Sequence, residues 1–310
     1  MSAQTDGDPL VSVVIPTYYR NELLAETIRS VRSQSYSSTE VIVVDDSGEG
    51  HAAPVVGDFD GVHYVELDEN QGASAARTVG ARRANGGFVH FLDDDDVMYG
   101  SKIERQVRVM RQNPDVGVVY TGIEKIGDRT DLPDPAICGG VLKFALMFEM
   151  WPCMNSTMLI REAVLSGLLP LSDRRAANDL ELMIRLARHT EFEFVDEPLL
   201  FKRIDDSSLG SSLDAVEGRK DIVERYDDLY AIHTEGVRRT ALANTYETEG
   251  ALLLQQGGWS VAALRSLVKH LYYEPNEKLK ALGKVALGCF GKPGWATANQ
   301  ISQILSSSPE

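Results

Sequence analysis

The sequence predicts an α/β fold with a mainly parallel, doubly wound sheet. Three observations lead there. β-Branched runs alternate with helical patterns over the first 200 residues, those runs end in polar or acidic residues, and 43% of the 310 residues are apolar, enough for a sizeable core. Val11 to Ile15, bounded by Pro9 and Pro16, is the first strand. Leu24, Ile28 and Val31 then recur on one helical face, with Asn21 as the expected N-cap. A second buried strand, Val41 to Val44, runs into Asp45 and Asp46, and a third, Val62 to Leu67, precedes a helix of small residues, Ala73 to Ala84. The fourth, Phe88 to Leu92, runs into four consecutive aspartates. Ser101 and Glu104 form a capping box for a helix that turns Ile103, Val107 and Met110 inward, and Val116 to Tyr120 reads as a further strand.

Charge excludes one class of partner. With 46 acidic against 31 basic residues the net charge is −15, which argues against nucleic acid, whose binding needs clustered cations. Ten of the cations are lysine and 21 are arginine, and an acidic, lysine-poor surface is the kind that stays hydrated in a halophile. Three scattered cysteines suggest a reducing compartment rather than a disulfide framework, and six dispersed histidines suggest no zinc cluster. The polar start and the short run Val11 to Ile15 offer no signal peptide, and no stretch approaches a membrane span, so a cytoplasmic location is expected.

The charge is uneven. Residues 260–310 hold six cations and three acids, a net +3, which leaves −18 for residues 1–259. This shift and the serine-rich SSLGSS stretch place a boundary in the 210–260 region. The expected organisation is a flexible N-terminus at 1–9, an α/β domain at 10–210 whose halves divide at residue 100, and a helical region at 211–310.

Open α/β sheets bind ligands at the carboxyl ends of their strands, where this chain carries Pro16-Thr17-Tyr18, Asp45-Asp46 and Asp93 to Asp96. Four adjacent carboxylates resist joint ionisation unless a cation neutralises them. Oxygen donors favour Mg²⁺ or Mn²⁺, which also takes oxygens from a substrate diphosphate. A solvated acidic loop is the plain alternative. Asn70-Gln71-Gly72 before the small-residue helix lets a ligand approach closely, and Arg77 offers it a cation. No G-x-G-x-x-G follows the first strand, which disfavours a dinucleotide-dependent oxidoreductase.

Taken in order, VSVVIPTYYR, EVIVVDDS, NQGASAARTVG, FVHFLDDDD and NDLELMIRL resemble the family 2 glycosyltransferases of the GT-A fold, over residues 10–210. In its acidity the chain resembles haloarchaeal-type enzymes that act on lipid-linked glycans. The resemblance implies a Rossmann-like, nucleotide-diphospho-sugar transferase fold: a mixed, mainly parallel sheet flanked by helices, here with a helical C-terminal extension. It implies that Pro16, Thr17, Tyr18 and Asp46 hold the nucleotide base and ribose, and that Arg77 lies near the nucleotide. Asp93, Asp94 and Asp95 match the family's D-x-D motif, with Asp95 and Asp93 as metal ligands, Asp94 on the ribose or sugar and Asp96 behind them.

Asp179 matches the general base of inverting members, although Asn178 stands where the family has glutamate. Capping the helix is the simpler use of an aspartate there. Many relatives carry a histidine two residues after the arginine that Arg203 matches; here it is Asp205, a further candidate metal ligand, while Arg203 and Ser207 can meet the diphosphate. The segment around Trp151, Asn155 and Ser156 borders the acceptor in such folds, and Trp151 can stack on a sugar or pack in the core.

Beyond residue 210 the resemblance gives no guide. Residues 275–290 draw as a helix with Leu279, Leu282, Ala286, Cys289 and Phe290 on one side and Lys280 and Lys284 on the other. Such a helix packs on a neighbouring domain or lies on an anionic membrane. Five of the ten lysines fall at or after Lys269, which raises the second reading and marks residues 265–293 as a candidate peripheral membrane contact at the cytoplasmic face.

The leading expectation is a metal-dependent inverting transferase that moves a sugar from a nucleotide-sugar, a UDP-sugar by preference, to an acceptor hydroxyl. By analogy the acceptor is a polyprenyl- or dolichyl-phosphate-linked glycan in N-glycan or surface glycan assembly. The alternative is a catalytically silent nucleotide-sugar-binding or scaffold subunit.

Overall fold

A computed structural model of the chain describes residues 7–126, 129–172, 176–203 and 212–297. The strands are β1 (Val11–Thr17), β2 (Thr39–Asp45), β3 (Val62–Glu66), β4 (Phe88–Phe91), β5 (Val97–Met98), β6 (Val116–Lys125), β7 (Arg129–Asp131), β8 (Leu159–Arg161) and β9 (Glu191–Lys202). The helices are α1 (Asn21–Arg32), α2 (Ala53–Val56), α3 (Ala73–Arg83), α4 (Lys102–Gln112), α5 (Leu142–Met147), α6 (Glu162–Leu165), α7 (Asn178–Ala187), α8 (Leu213–Arg225), α9 (Asp227–Ala231), α10 (Glu235–Gly257), α11 (Val261–Tyr273) and α12 (Lys278–Gly288). The chain divides into two compact units, the first holding the sheet and the second residues 206–310 with two short pieces at 146–149 and 175–177.

The sheet order is β3-β2-β1-β4-β8-β6-β9-β5, with β7 on β6. β1 to β4 pair in parallel; β8 is antiparallel to both β4 and β6, and β6 is parallel to β9. β4, β6 and β9 therefore point the same way as β1, and all their carboxyl ends lie along one edge. The expected mixed, mainly parallel sheet is present; a purely parallel one is not. The three-residue β8 is too short to declare itself by pattern, and it carries the reversal.

Both faces are covered at the centre of the sheet, where β1, β4 and the first eight residues of β6 are buried throughout. Val11, Val13 and Ile15 pack with Leu24, Ile28 and Val31 of α1 and with Ile103, Val107 and Met110 of α4. On the other face α3 sits directly on the sheet. A Cβ on Gly80 would lie 2.2 Å from Val14 Cγ1 and 3.2 Å from Val44 Cγ2, so only glycine permits this approach.

Two capping expectations fail. Helix α1 begins at Asn21, after Arg20, and the Asn21 amide donates to the His51 carbonyl at 3.0 Å. Ser101 precedes α4 without capping it through its side chain; Glu104 instead accepts from Ser35 Oγ at 2.6 Å and pairs with Arg108. Asn21 and Glu104 each bond a group outside their own helix instead.

In the second unit α10 and α11 form the main packed pair, with α12 returning against α11. Leu254, Ala263, Leu267 and Trp295 make a small core, backed by Val285.

Candidate active site

The crevice forms where β1, β2 and β4 end. Each parallel ladder runs one residue past its strand: Asp46 N–H donates to the Thr17 carbonyl and Leu92 N–H to that of Val14, both at 3.0 Å. This places Thr17, Asp46 and the Asp93 to Asp96 turn side by side.

The two aspartates after β2 have different partners. Asp45 is buried and accepts from Ser47 N–H at 3.0 Å, Ala52 N–H at 2.7 Å and Tyr64 Oη at 2.8 Å. Burial pushes its carboxyl up, but these hydrogen bonds, led by Ala52 N–H, leave it below its ordinary value. Asp46 takes Gln71 N–H at 2.7 Å on one oxygen and Gly72 N–H at 2.8 Å on the other. It ties the Asn70-Gln71-Gly72 loop to the end of β2, and burial raises its carboxyl. Pro16 lies within β1 against Val44, and Tyr18 is exposed with its ring 4.6 Å from Tyr19.

The four aspartates meet three protein cations. Arg77, held over the crevice by α3, reaches Asp93 Oδ1 at 2.5 Å. Arg20 reaches Asp95 Oδ2 at 2.8 Å and Asp94 Oδ1 at 3.3 Å, and Lys202 at the end of β9 reaches Asp96 Oδ2 at 3.3 Å. Asp94 also accepts from Thr17 Oγ1 at 2.8 Å, which turns it toward β1. Thr27 Oγ1 of α1 lies 2.9 Å from the carbonyls of both Asp94 and Asp96 and holds the turn from beneath. Ser156 Oγ accepts from Asp93 N–H at 3.1 Å on the far side.

These surroundings separate the four carboxyls. Burial would raise Asp93, but Arg77 and then Lys202 hold it below its ordinary value. Burial raises Asp94 to about 6, against Thr17 and Arg20. Burial and the Asp93 charge raise Asp95. Burial raises Asp96 to about 7 despite Lys202, whose own ammonium the surrounding carboxylates, Asp96 first, keep charged against the cost of burial.

Asp93, Asp95 and Asp96 each offer a carboxylate oxygen, all within 4.8 Å of one another. An oxygen-only set of this span fits a hard divalent cation. Asp94, facing Thr17, stands outside the set. Asp205 and Ser207 lie outside the described residues. Arg203 pairs with Glu26 and lies 5.9 Å from the Phe201 ring, so among the described cations of β9 and its end it is Lys202 that faces the aspartates.

Beneath the turn, Lys102 of α4 is fully buried, with Nζ 2.6 Å from His90 Nε2, 2.8 Å from Gln106 Oε1 and 3.2 Å from the Thr157 carbonyl. Burial pushes both the Lys102 ammonium and the His90 imidazole well down.

Asp179 stands in the first turn of α7, half-buried, and its charge reaches Cys153, whose thiol is raised by burial first and by Asp179 second. Cys153 and Ser156 belong to one segment, which thereby runs from the neighbourhood of Asp179 to Asp93. At its start Trp151 is half exposed; Nε1 donates to Asp131 Oδ2 at 2.6 Å and Lys125 Nζ lies 4.8 Å from the ring centre. Lys125 also pairs with Asp131, so the indole is held in place at the surface rather than packed in the core. Asn155 is buried, and neither its Oδ1 nor Arg77 Nε, both enclosed atoms, finds a hydrogen-bond partner among the described residues.

Residues 12–167 match the family model described as glycosyl transferase family 2. TuaG of Bacillus subtilis (strain 168), a glycosyltransferase assigned to teichuronic acid biosynthesis, is 36% identical over 112 residues, 35% of this chain and 44% of that one. WfgD of Escherichia coli, a UDP-Glc:alpha-D-GlcNAc-diphosphoundecaprenol beta-1,3-glucosyltransferase, is 30% identical over 125 residues, 40% of this chain and 49% of that one. The matched stretch thus spans less than half the length of either relative. Among solved structures, S. aureus TarS residues 1–349 with UDP-GlcNAc superposes with a TM-score of 0.63 at 16% identity, covering 95% of this chain and 91% of that one. A mannosyltransferase from Pyrobaculum calidifontis, solved with GDP-Man and Mn²⁺, gives 0.60 at 16% identity, covering 98% and 89%. At these identities the two structures speak to the fold, which is that of GT-A glycosyltransferases.

Proposed function

Because the chain belongs to glycosyl transferase family 2, we propose that it moves a sugar from a UDP-sugar to an acceptor hydroxyl with inversion at the anomeric carbon. One observation carries this reading: Asp93, Asp95 and Asp96 converge at the strand edge beside Thr17 and Asp46, and a single segment links them to the neighbourhood of Asp179.

In this reading Pro16, Thr17, Tyr18 and Asp46 receive the base and ribose. Tyr18 offers an exposed ring for stacking, and Asp46 has an unused lone pair on each oxygen for a base N–H. Asp94, hydrogen-bonded to Thr17, takes a ribose or sugar hydroxyl. Arg77 supplies positive charge to the nucleotide, joined by Lys202 and, from beyond the crevice wall, Arg203. Asp95 and Asp93 are the proposed metal ligands, with Asp96 completing the set and Asp205 a further candidate. Mg²⁺ or Mn²⁺ bound there supplies charge stabilisation to the leaving diphosphate. Asp179 accepts the proton of the acceptor hydroxyl as that oxygen attacks from the face opposite the nucleotide, which produces inversion. Trp151, fixed by Asp131 and Lys125, gives the acceptor sugar a flat face, bordered by Asn155 and Ser156.

The acceptor class we propose is a glycan on a polyprenyl or dolichyl phosphate at the cytoplasmic face of the membrane; WfgD, the Escherichia coli relative, acts on a diphosphoundecaprenol-linked sugar. The direct test incubates the protein with a panel of UDP-sugars and Mn²⁺ and follows release of UDP, with and without lipid-linked acceptors. Metal-dependent UDP release from one donor is the expected result. Donor-induced thermal stabilisation without release from any donor would overturn the reading in favour of a silent nucleotide-sugar-binding subunit. The replacement of the family's histidine by Asp205 favours that second reading.

A further inference from the structure

The helical unit carries an apolar and basic outer face that no part of the transfer chemistry uses. Helix α12 packs inward through Ala281 and Gly288, with Val285 backing the small core. A Cβ on Gly288 would lie 2.5 Å from Leu267 Cδ1, so α11 and α12 are in close contact along these faces. The side that the sequence marks as apolar is the opposite one, and it is open: Leu279 is 86% exposed, Leu282 52% and Phe290 72%. The packed side uses small residues, which leaves the large ones outward.

Helix α11 repeats the arrangement. Its buried residues are Ala263, Ser266, Leu267 and His270, while Val268 and Tyr272 are exposed on its other side. Trp259, just before α11, is also exposed, and its Cβ lies 3.4 Å from where a Cβ on Gly291 would stand, which puts it beside the end of α12 next to Phe290. Exposed aromatic and aliphatic residues thus occur along both helices of the hairpin. Single exposed apolar residues are ordinary; a set on two adjacent helices marks an interaction surface.

Cations outnumber acids around it. Arg265, Lys278 and Lys292 are exposed, and no ion pair engages them among the described residues, whereas Lys269 is turned to α10, its Nζ 4.6 Å from the Tyr246 ring centre. The acids nearby are occupied: Glu277 pairs with Lys280, Glu247 with Lys284, and Glu274 accepts from the N–H groups of Asn276 and Glu277. In a chain of net charge −15, an uncompensated basic rim around exposed leucine and aromatic side chains complements a surface that is anionic and has an apolar interior.

We propose that the α11–α12 hairpin docks on an anionic phospholipid bilayer, inserting Leu279, Leu282 and Phe290 at the level of the headgroups while Arg265, Lys278 and Lys292 meet lipid phosphates. The docking is independent of the site chemistry and would bring the enzyme to the surface where a lipid-linked acceptor resides.

The test is flotation of the full-length protein with vesicles of phosphatidylcholine alone or with about one third phosphatidylglycerol, beside the double variants Leu279→Asp/Phe290→Asp and Lys278→Glu/Lys292→Glu. Wild-type protein is expected to float with the anionic vesicles and to lose binding as salt rises. Each cation near such a surface is worth about fivefold in partition, so the charge-reversed variant should bind more than tenfold more weakly. The aspartate variant should lose binding as well. UDP-induced thermal stabilisation and circular dichroism should be unchanged in both, which separates docking from the transfer reading. Equal binding to both vesicle types, or variants that bind like wild type, would overturn the proposal. So would a dimer by sedimentation that Leu279→Asp/Phe290→Asp abolishes without vesicle binding by wild type, because the face would then join two copies of the chain.

Discussion

Lys202 Nζ lies 3.3 Å from Asp96 Oδ2, a contact across 106 residues made because β9 runs parallel to β4 and both end at the same edge. The ammonium occupies the position of a counter-ion to the carboxylates proposed to hold metal. Lys202→Met should therefore lower the thermal stability of the metal-free protein, by about 1–3 kcal/mol for an orphaned buried partner. Added Mn²⁺ should stabilise the variant more than wild type. Equal Mn²⁺-induced shifts in Tm would show that Lys202 and the metal do not compete.

The base role proposed for Asp179 separates proton transfer from donor binding. Asp179→Asn preserves size and polarity but removes basicity, and a positioned base contributes about 10²–10⁴-fold. Turnover should fall by that factor while UDP stabilises the variant as it does wild type, by about 2.7 kcal/mol at 100 times its Kd. Loss of both would assign Asp179 to the fold or the donor pocket instead.

Gly80 sets the distance between α3 and β1, and through α3 the height of Arg77 over Asp93. Gly80→Ala puts a methyl 2.2 Å from Val14 Cγ1, an overpacking that costs about 1–3 kcal/mol. Urea unfolding measures it. Val14→Ala in the same chain should recover part of the loss, which a purely conformational effect at residue 80 would not allow.

Glu40 provides a pH dependence remote from the crevice. It accepts from Ser12 Oγ at 2.5 Å, Asn85 N–H at 2.7 Å and the Asn85 amide at 3.1 Å. Burial acts to raise its carboxyl, but these bonds, led by Ser12, leave it below its ordinary value. A depressed carboxyl stabilises the fold above the unfolded-state value, and the contribution is lost as pH falls through the lower folded one. Glu40→Gln should cost about 1 kcal/mol at pH 7, and the gap to wild type in thermal unfolding should close as pH drops below 4.5. A constant gap would assign the effect to packing.

The donor side of the crevice was legible because each strand there announces both its path and its end. Val11 to Ile15, Val41 to Val44 and Phe88 to Leu92 are apolar runs that stop at Thr17, Asp46 and Asp93, and parallel pairing aligns such ends. Of the three cations Arg77 was legible, from its place in the small-residue helix after Asn70-Gln71-Gly72, and Arg20 and Lys202 were not. Arg20 is 74 residues from Asp94, and Lys202 meets Asp96 only through the sheet order beyond β4, which turns on the three-residue β8. Arg203 drew attention because it matches a family position, whereas its neighbour one step along the strand faces the aspartates. The apolar side of α12 was readable, but its exposure was not, since periodicity says which residues share a face and not what that face meets.

The three cations set against four aspartates have a consequence for how the protein lives between reactions. A crevice whose only compensation were a dissociable ion would become a cluster of repelling charges each time that ion left. Here Arg20, Arg77 and Lys202 compensate the aspartates from within the fold. In the proposed reading the crevice therefore keeps its shape without metal, and chelation should abolish transfer while leaving the thermal stability of the empty protein nearly unchanged.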